Sequence, residues 1–221
     1  MKKGVILFHK DILKIYENSW IEKSVNSMIN QTDNDFTFYE VNYGGDSYSA
    51  IPTNLNIKSK FWSENLVNYA EAMNFILDKA FDDGCDYVFN MNLDDFYAPN
   101  RISDQIKMMI EEDFDIVSSD FCYIQEKEIS DVKKDLVIRF MNIEKTNIQN
   151  HLENNHNVIA HPSVCYNKRF WLNSENRYDI SKTPEEDLDL WKRSIKKGYK
   201  FGIHNEVLLF YRIHKNQVSN K

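Results

Sequence analysis

The sequence predicts an α/β fold in which a mostly parallel sheet is flanked by helices. Apolar runs of strand length occur at residues 5–8, 36–41, 87–91 and 115–118. Amphipathic stripes with helical spacing lie between them, so that strand and helix alternate three times over this part of the chain. Such alternation builds a parallel sheet covered by helices on both faces.

The elements of the first half follow from their periodicity. Residues 5–8 form a continuous apolar run, typical of a strand buried on both faces. Apolar side chains recur with helical spacing in residues 21–29 and again in residues 70–80. Residues 36–41 are rich in aromatic and β-branched side chains, which favours a strand. Pro99 is predicted to open a third helix, with an inward stripe of Ile102, Ile106, Met109 and Ile110.

The second half is less regular. Residues 126–135 are highly charged and residues 142–157 are rich in Asn, so we expect loops or exposed helix there. A helix is predicted to start with Thr183 as its cap, Pro184 as its first residue and Glu186 closing a capping box. Its predicted inward residues are Leu188, Trp191 and Ile195, its predicted stop is Gly198, and a terminal strand is expected at residues 207–211.

Charge and composition exclude several classes of protein. The 221 residues include 27 Lys and Arg against 34 Asp and Glu, a formal net charge of −7, so the overall field does not attract nucleic acid or anionic lipid. The cysteines, Cys85, Cys122 and Cys165, suggest neither a disulfide framework nor a zinc site. No glycine-rich phosphate loop occurs. We therefore expect any anionic ligand at a local site, held by a bound cation or by backbone N–H groups.

Domain organisation and location follow from what the chain lacks. The apolar run near the N-terminus is too short for a signal peptide, and no stretch approaches the roughly 20 residues that span a bilayer. The sequence shows no internal repeat and no low-complexity linker. A single domain over residues 1–221, without a transmembrane segment and cytoplasmic, is expected, and the sequence does not indicate an oligomeric state.

Polar side chains follow two of the predicted strands. Asn42 follows residues 36–41, whereas Asn92, Asp94 and Asp95 follow residues 87–91. Ligands of parallel sheets bind at the carboxyl ends of the strands. Carboxylate oxygens suit Mg²⁺ or Mn²⁺, which leave open positions for substrate phosphates. The alternative is that the two acids only shape the turn before the next helix.

The sequence pattern alone does not decide the roles of two further residues, Asp187 and His214. Asp187 lies in the first turn of the predicted helix, where the helix dipole favours an acid without any function. His214 follows the terminal strand, and its imidazole could complete a metal site begun by Asp94. A lone His is nevertheless more often an ordinary surface or core residue.

The order of the segments resembles family 2 glycosyltransferases with the GT-A fold. The resemblance covers about residues 4–219 and rests on short motifs that are weak singly and specific in this order. The matching segments are Trp20 to Thr32, Phe36 to Ser47, Ala70 to Asn74, Asn92 to Asp95 with Pro99 to Arg101, Glu186 to Trp191, and Tyr211 to Asn216.

The resemblance implies a metal-dependent enzyme that moves a sugar from a nucleoside-diphosphate sugar, with UDP-sugars as first candidates, to a glycan or other hydroxyl acceptor. It implies that Asp94 binds Mn²⁺ or Mg²⁺ at the donor diphosphate, with Asp95 and His214 as further metal candidates. It also implies that Asp187 is the general base of an inverting transfer. Residues 1–120 would bind the donor, and residues 121–221 the acceptor. The implied substrate-binding residues are Phe8, His9 and Asn42, near the nucleotide base, together with Asn74, Asn92, His161 and Glu186.

The chain departs from the family pattern at three places. Asn92 and Asn42 stand where the family usually has Asp, and residues 8–11 read Phe-His-Lys-Asp in place of Pro-Thr-Tyr-Asn. Two alternatives stay open. A sugar nucleotidyltransferase would normally carry a glycine-rich basic loop after the first strand, whereas a non-catalytic nucleotide-sugar-binding module would keep the fold without turnover.

Overall fold

The structure, a computed structural model, describes residues 1–53, 57–129, 132–141, 146–215 and 217. In these ranges the chain forms one sheet with helices on both faces. The strands are β1 (Lys3–His9), β2 (Thr37–Asn42), β3 (Ser59–Ser63), β4 (Tyr87–Met91), β5 (Phe96–Tyr97), β6 (Ile116–Ile129), β7 (Val132–Met141), β8 (Cys165–Asn167) and β9 (Phe201–Arg212). The α-helices are α1 (Ile12–Ile15), α2 (Asn18–Ile29), α3 (Tyr69–Asp82), α4 (Arg101–Glu111), α5 (Ile148–Glu153), α6 (Lys168–Trp171) and α7 (Glu186–Lys196), with short 3-10 helices at His161–Ser163 and Ile180–Lys182.

The sheet has the strand order β3-β2-β1-β4-β8-β6-β9-β5, and β7 pairs with β6 outside this path. Strands β3, β2, β1 and β4 are parallel neighbours, and β6 is parallel to β9. The short strand β8 is antiparallel to both β4 and β6. The predicted fold class is confirmed, although the antiparallel strands β5, β7 and β8 make the sheet mixed.

Strand β1 shows why the core has two layers. Ile6 and Phe8 pack with the layer that contains α3 and α7, whereas Val5 and Leu7 pack with the layer that contains α2 and α4. All seven residues of β1 are buried, as expected for a central strand with helices on both faces.

The register places the ends of three parallel strands at one edge of the sheet, which we call the carboxyl edge. His9 lies beside Asn42, and Leu7 lies beside Met91, the last residue of β4. The residues that follow these strands therefore emerge close together. No helix in the described part of the chain is both long and apolar enough to cross a membrane.

Where the structure describes the charged stretch, at residues 126–129 and 132–135, it is neither loop nor helix, and that expectation is wrong there. Its described residues lie in a long hairpin of β6 and β7, in which Glu126 pairs with Asp135 and Lys127 with Lys134. Most of β7 is exposed, so the strand lacks the alternation of apolar and polar residues by which strands are recognised. In the Asn-rich stretch the structure shows α5, as expected for exposed helix, and residues 142–145 lie outside the described residues.

Two helix starts differ from the expectation. Helix α7 begins at Glu186, and Glu185 occupies its cap position without a side-chain hydrogen bond. Thr183 and Pro184 are instead the central residues of a turn closed by the Glu185 N–H on the Lys182 carbonyl at 2.7 Å. Helix α4 begins at Arg101, two residues after Pro99, and Ile110 is exposed rather than inward. Gly198, with φ of +87°, ends α7 as predicted.

Candidate active site

The loop after β4 is held in place by neighbouring elements. The Ser24 hydroxyl on α2 donates to the Asn92 carbonyl at 2.7 Å, and the Asn92 N–H donates to the Tyr97 hydroxyl at 2.8 Å. These two bonds fix the start of the loop, and they leave Asp94 partly exposed, with 15% of its side chain accessible.

Asp94 meets His214 across a separation of 120 residues in the chain. The His214 Nε2 atom lies 2.9 Å from Asp94 Oδ2, and the Trp20 ring packs against the imidazole at a centroid distance of 5.0 Å. The meeting occurs because β9 runs parallel to β6 and delivers the segment after Arg212 to the carboxyl edge. Two of the predicted metal residues are thus brought together.

Asp95 has a different position from its neighbour. Its side chain is 2% exposed, and Oδ1 accepts the Arg212 N–H at 2.9 Å. Burial, followed by repulsion from Asp94, raises the pKa of Asp95 well above its ordinary value. Asp95 therefore points into the protein rather than to the open face that Asp94 occupies.

The predicted base-binding residues are engaged within the protein. The Asn42 amide donates to Asp46 Oδ1 at 2.5 Å and to the Tyr48 carbonyl at 3.3 Å, while its oxygen accepts the Gly44 N–H at 3.0 Å. Asn42 thus shapes the turn after β2. The structure places Phe8 at this edge as well, where its ring meets the edge of the Tyr69 ring at 4.6 Å.

His9 is buried beside Glu40. The His9 Nε2 atom lies 2.8 Å from Glu40 Oε1, and both side chains are inaccessible. Glu40 also accepts the Ser49 hydroxyl and the Ala50 N–H, each at 2.5 Å. The pair therefore anchors the loop that follows β2 beneath the carboxyl edge.

A buried group of phenols, which we call the phenol cluster, surrounds His161. It consists of Tyr69, Tyr166 and Tyr178. The Tyr69 hydroxyl lies 2.9 Å from His161 Nδ1, the Tyr178 hydroxyl 2.8 Å from Nε2, and the Tyr166 and Tyr178 hydroxyls 2.6 Å apart. Burial lowers the pKa of His161, although Asp187 opposes this shift. A neutral imidazole suits this arrangement, because one ring nitrogen donates to a phenol and the other accepts from a phenol.

Asn74 supports the same cluster from α3. Its amide oxygen accepts the Tyr178 N–H at 2.9 Å, and its amide nitrogen donates to the Tyr178 carbonyl at 2.9 Å. The hydrogen bonds described for the Asn74 side chain thus both go to the backbone of Tyr178.

The two acids at the start of α7 lie against the phenol cluster. Glu186 is buried, Oε2 has no hydrogen-bond partner among the described residues, and burial followed by Asp187 raises its pKa. Asp187 is half-buried, and it accepts the Asn157 amide at 2.9 Å and the Leu188 N–H at 2.7 Å. Its charge raises the pKa values of Tyr69 and Tyr178 after burial has raised them already.

Burial and acids of the two regions raise the pKa values of two tyrosines, Tyr16 and Tyr43. Burial raises the pKa of Tyr16, and the charges of Asp94 and then Tyr43 add to the shift. Burial also raises the pKa of Tyr43 to about 12, with further contributions from Asp11 and Glu186. Phe8, at the end of β1, contacts Tyr69, and Tyr69 contacts His161, so the phenol cluster also lies near the carboxyl edge.

The donor chemistry of the residues at the carboxyl edge fits a metal site that is completed by substrate. Among the described residues, no three or more His, Cys, Asp or Glu side chains are grouped closely enough to hold a metal ion by themselves. Asp94 and His214 supply one carboxylate and one imidazole. Mg²⁺-type sites commonly use one or two protein carboxylates and take their remaining ligands from water and substrate phosphates, so this pair fits a cation that shares its shell with a diphosphate.

A cavity of about 560 Å³ lies at the opposite edge of the sheet, around Lys2, Lys58, Lys60 and Asp83. Its lysines are already paired: Lys2 and Lys60 with Asp83, both at 2.8 Å, and Lys58 with Asp35 at 2.8 Å. Lys2 and Lys60 share one carboxylate, so the lining keeps a net positive charge, but the cavity lies at the end of the parallel strands where ligands do not usually bind.

The sheet and its helical layers define an α/β protein, a class in which ligands bind at the carboxyl ends of the parallel strands. Residues 13–174, well over half of the chain, match the family described as Glycosyl transferase family 2. The chain belongs to this family of enzymes, and it is a glycosyltransferase domain with the GT-A fold.

Individual relatives agree with the family. The chain is 26% identical over 206 residues to the O-antigen biosynthesis glycosyltransferase WbnJ of Escherichia coli, covering 89% of this chain and 76% of WbnJ. It is 28% identical over 206 residues to the uncharacterized glycosyltransferase MJ1057 of Methanocaldococcus jannaschii, covering 88% of this chain and 66% of MJ1057.

Solved structures show the same fold. TarS of S. aureus in complex with UDP-GlcNAc matches with a TM-score of 0.66 and 15% identity, over 98% of this chain and 60% of TarS 1-349. The mannosyltransferase PcManGT of Pyrobaculum calidifontis in complex with GDP-Man and Mn²⁺ matches with a TM-score of 0.64 and 14% identity, over 97% of this chain and 57% of that chain. The chain thus spans about three fifths of these two solved chains, and at these identities the likeness concerns the fold alone.

Proposed function

We propose that the chain transfers a sugar from a nucleoside-diphosphate sugar to an acceptor hydroxyl. In this proposal Asp94 and His214 hold a divalent cation at the donor diphosphate, and Asp187 is the general base. The observation that carries the proposal is the meeting of Asp94 and His214 at 2.9 Å on the carboxyl edge. The family membership supplies the reaction class, and the site supplies the residues.

The metal side of the proposal rests on charge. A cation bound between Asp94 and His214 would neutralise the charge that the leaving diphosphate develops. Asp94 is suited to this role because its carboxylate is partly open. Asp95, which is buried and bonded to the Arg212 N–H, is assigned a supporting role in place of the metal contact expected from sequence.

The assignment of Asp187 as the general base rests on its surroundings. Its carboxylate would take the proton of the acceptor hydroxyl while the acceptor oxygen forms a bond to the anomeric carbon and the bond to the diphosphate oxygen breaks. Attack opposite the leaving group inverts the anomeric centre. The Asn157 amide orients the carboxylate through its 2.9 Å hydrogen bond. His161 and Asn74 are assigned to hold the acceptor side in shape, because each bonds to Tyr178.

The donor is proposed to be a UDP-sugar, with a GDP-sugar as the next candidate. The relatives that support this choice are TarS, solved with UDP and with UDP-GlcNAc, and PcManGT, solved with GDP-Man and Mn²⁺. Asn42 is occupied within its own turn, so the base is expected to be read by other groups at the end of β2. Thermal-shift assays with UDP-, GDP- and dTDP-sugars and Mn²⁺ would identify the nucleotide base of the donor.

The decisive experiment measures release of nucleoside diphosphate from these donors with and without Mn²⁺. We expect release by the wild-type protein with Mn²⁺, and at least a hundredfold loss in Asp94→Ala. Asp86→Ala is the matched control, because Asp86 directly precedes β4 and lies at the other end of that strand from Asp94. Donor binding without release by the wild-type protein would favour a binding module, and production of inorganic pyrophosphate from a nucleoside triphosphate and a sugar phosphate would favour a nucleotidyltransferase.

A further inference from the structure

Arg212 lies at the centre of the contacts that hold the loop after β4. Its side chain is 1% exposed, its Nε–H donates to the Asp94 carbonyl at 2.9 Å, and its backbone N–H donates to Asp95 Oδ1 at 2.9 Å. The guanidinium packs over the Trp20 ring at 4.9 Å, on the same indole that contacts His214. One residue thus touches both acids of the loop and shares a packing partner with the imidazole.

The guanidinium is held in turn by Asp135 on the β6–β7 hairpin. Its two terminal nitrogens bond to the two carboxylate oxygens of Asp135, one of them at 3.0 Å. Lys23 on α2 donates to the same carboxylate at 2.6 Å. Burial would raise the pKa of Asp135, but the bonds from Arg212 and Lys23 outweigh it and hold the pKa below its ordinary value. Asp135 is therefore a carboxylate that balances two cations.

The hairpin is itself fixed to α2, so Asp135 is not on a freely moving arm. The Trp20 Nε1–H donates to Glu126 at 3.1 Å. Lys133 bonds to Glu17 and lies 3.1 Å from Glu126. These contacts join both strands of the hairpin to the start of α2, which is the helix that also anchors Asn92 through Ser24.

We propose that Asp135 is a positioning residue for the Asp94–His214 site, acting through Arg212. This inference rests on the proposed function, since it assumes that Asp94 and His214 hold the cation. A bidentate carboxylate fixes the plane of a guanidinium, so Asp135 keeps the charge of Arg212 directed toward the hairpin. The Arg212 side chain then contacts Asp94 at its carbonyl and leaves the carboxylate for the cation.

Loss of the Asp135 charge has a defined consequence. A buried guanidinium without a carboxylate partner seeks the nearest remaining acid, and the acids next to Arg212 are Asp94 and Asp95. Arg212 would then compete with the cation for Asp94. The expected effect is weaker metal binding with the reaction itself preserved once metal is saturating.

The test is an equilibrium titration of Mn²⁺, followed by electron paramagnetic resonance in the presence of UDP or GDP, whichever the wild-type protein retains. We expect Asp135→Asn to raise the Mn²⁺ Kd about tenfold, with kcat at saturating Mn²⁺ within threefold of wild type. Asp135→Glu keeps the charge and is expected to restore the Kd to within threefold. The matched control is Asp113→Asn, because Asp113 pairs with Arg169 far from the site.

The outcomes separate the two proposals. If Asp94→Asn leaves Mn²⁺ binding unchanged, the proposed metal site is wrong. If Asp94→Asn abolishes binding while Asp135→Asn keeps the Kd within twofold of wild type, the role of Asp135 is overturned and the metal site stands. Should Asp135→Asn not fold, Arg212→Lys replaces it: this variant gives up the bond to the Asp94 carbonyl and is expected to raise the Kd at least fivefold, and an unchanged Kd would equally overturn the inference.

Discussion

The carboxylates at the two ends of the carboxyl edge have different surroundings. Near Asp94, the acids face cations and donors: Asp135 meets Arg212 and Lys23, and Asp95 accepts the Arg212 N–H. Near Asp187, the neighbours are phenols, an amide and a largely buried helix start. At the first end the bonds from Arg212 and Lys23 outweigh burial and hold the pKa of Asp135 below its ordinary value, whereas at the other end burial raises the pKa of Glu186. In the proposed function, the first end holds the cation and the second supplies the general base.

The largest expected effect tests Asp187 as the proposed general base. Asp187→Asn is expected to lower kcat by about 10² to 10⁴, the usual contribution of a general base, with the donor Kd in the presence of Mn²⁺ unchanged. Transfer rates and donor binding are measured on the same preparation. The control is Asp189→Asn, because Asp189 lies on the same helix and pairs with Arg193 at 2.8 Å. Normal transfer by Asp187→Asn would remove Asp187 as the base.

The second prediction concerns the neutral hydrogen bonds around His161. His161→Phe leaves the Tyr69 hydroxyl without its imidazole partner, while the Tyr178 hydroxyl keeps its bond to Tyr166. One unsatisfied hydroxyl is expected to cost about 1–3 kcal/mol of unfolding free energy, measured by urea denaturation. His156→Phe, at an exposed position, is the control. A loss below about 0.5 kcal/mol would mean that the phenol cluster does not depend on the imidazole.

The third prediction uses the raised pKa of Glu186. A pKa that folding raises gives stability that is present below the unfolded value and is lost as the pH rises through the folded value. Glu186→Gln is therefore expected to stabilise the protein by about 1 kcal/mol at pH 7.5, the order of the cost of one poorly satisfied buried polar group, and to have no effect near pH 4. Urea denaturation at both pH values tests this, with the exposed Glu185→Gln as control. A gain independent of pH would exclude titration of Glu186 as its cause.

The smallest expected effect tests the proposed metal site at Asp94 and His214. Asn92→Asp restores the acid that the family usually has, and it is expected to tighten Mn²⁺ binding by about three- to tenfold, or roughly 0.7–1.4 kcal/mol. The same change places a further carboxylate near Asp95, whose pKa burial and then Asp94 already raise. The melting temperature of the metal-free protein is therefore expected to fall by a few degrees. Unchanged Mn²⁺ affinity together with a lower melting temperature would show that position 92 serves the loop alone.

Local signals in the sequence were strongest where one face of an element is buried. The stripe of α2 and the apolar run of β1 predicted their elements because the core imposes a period on them. The β6–β7 hairpin was missed because most of β7 faces solvent. The capping box at Thr183 was wrong because a turn at residues 182–185 precedes the helix, and the sequence motif does not distinguish a turn from a helix start. Asn216, in the last matching segment, lies outside the described residues.

For the site, the residue types were predictable and their partners were not. Asp94 and His214 were singled out by their places after two strands, and the structure brings them together. Arg212 and Tyr43 belonged to matching segments without any assigned role, and Tyr16 carried no signal. A buried arginine or tyrosine is recognised only by what surrounds it.

The sequence by itself determined the alternation of strands and helices, the acids that follow β4, and the acid at the start of α7, because these features depend on neighbours a few residues apart. Only the tertiary structure decided that Asp94 faces outward while Asp95 faces inward, that Asn42 is used within its own turn, and that Asp135 pairs with Arg212. The physical reason is distance along the chain. The contacts of Arg212 with Asp135 and of His214 with Asp94 join residues 77 and 120 positions apart, and no local pattern encodes which of many distant partners will pack against a given side chain.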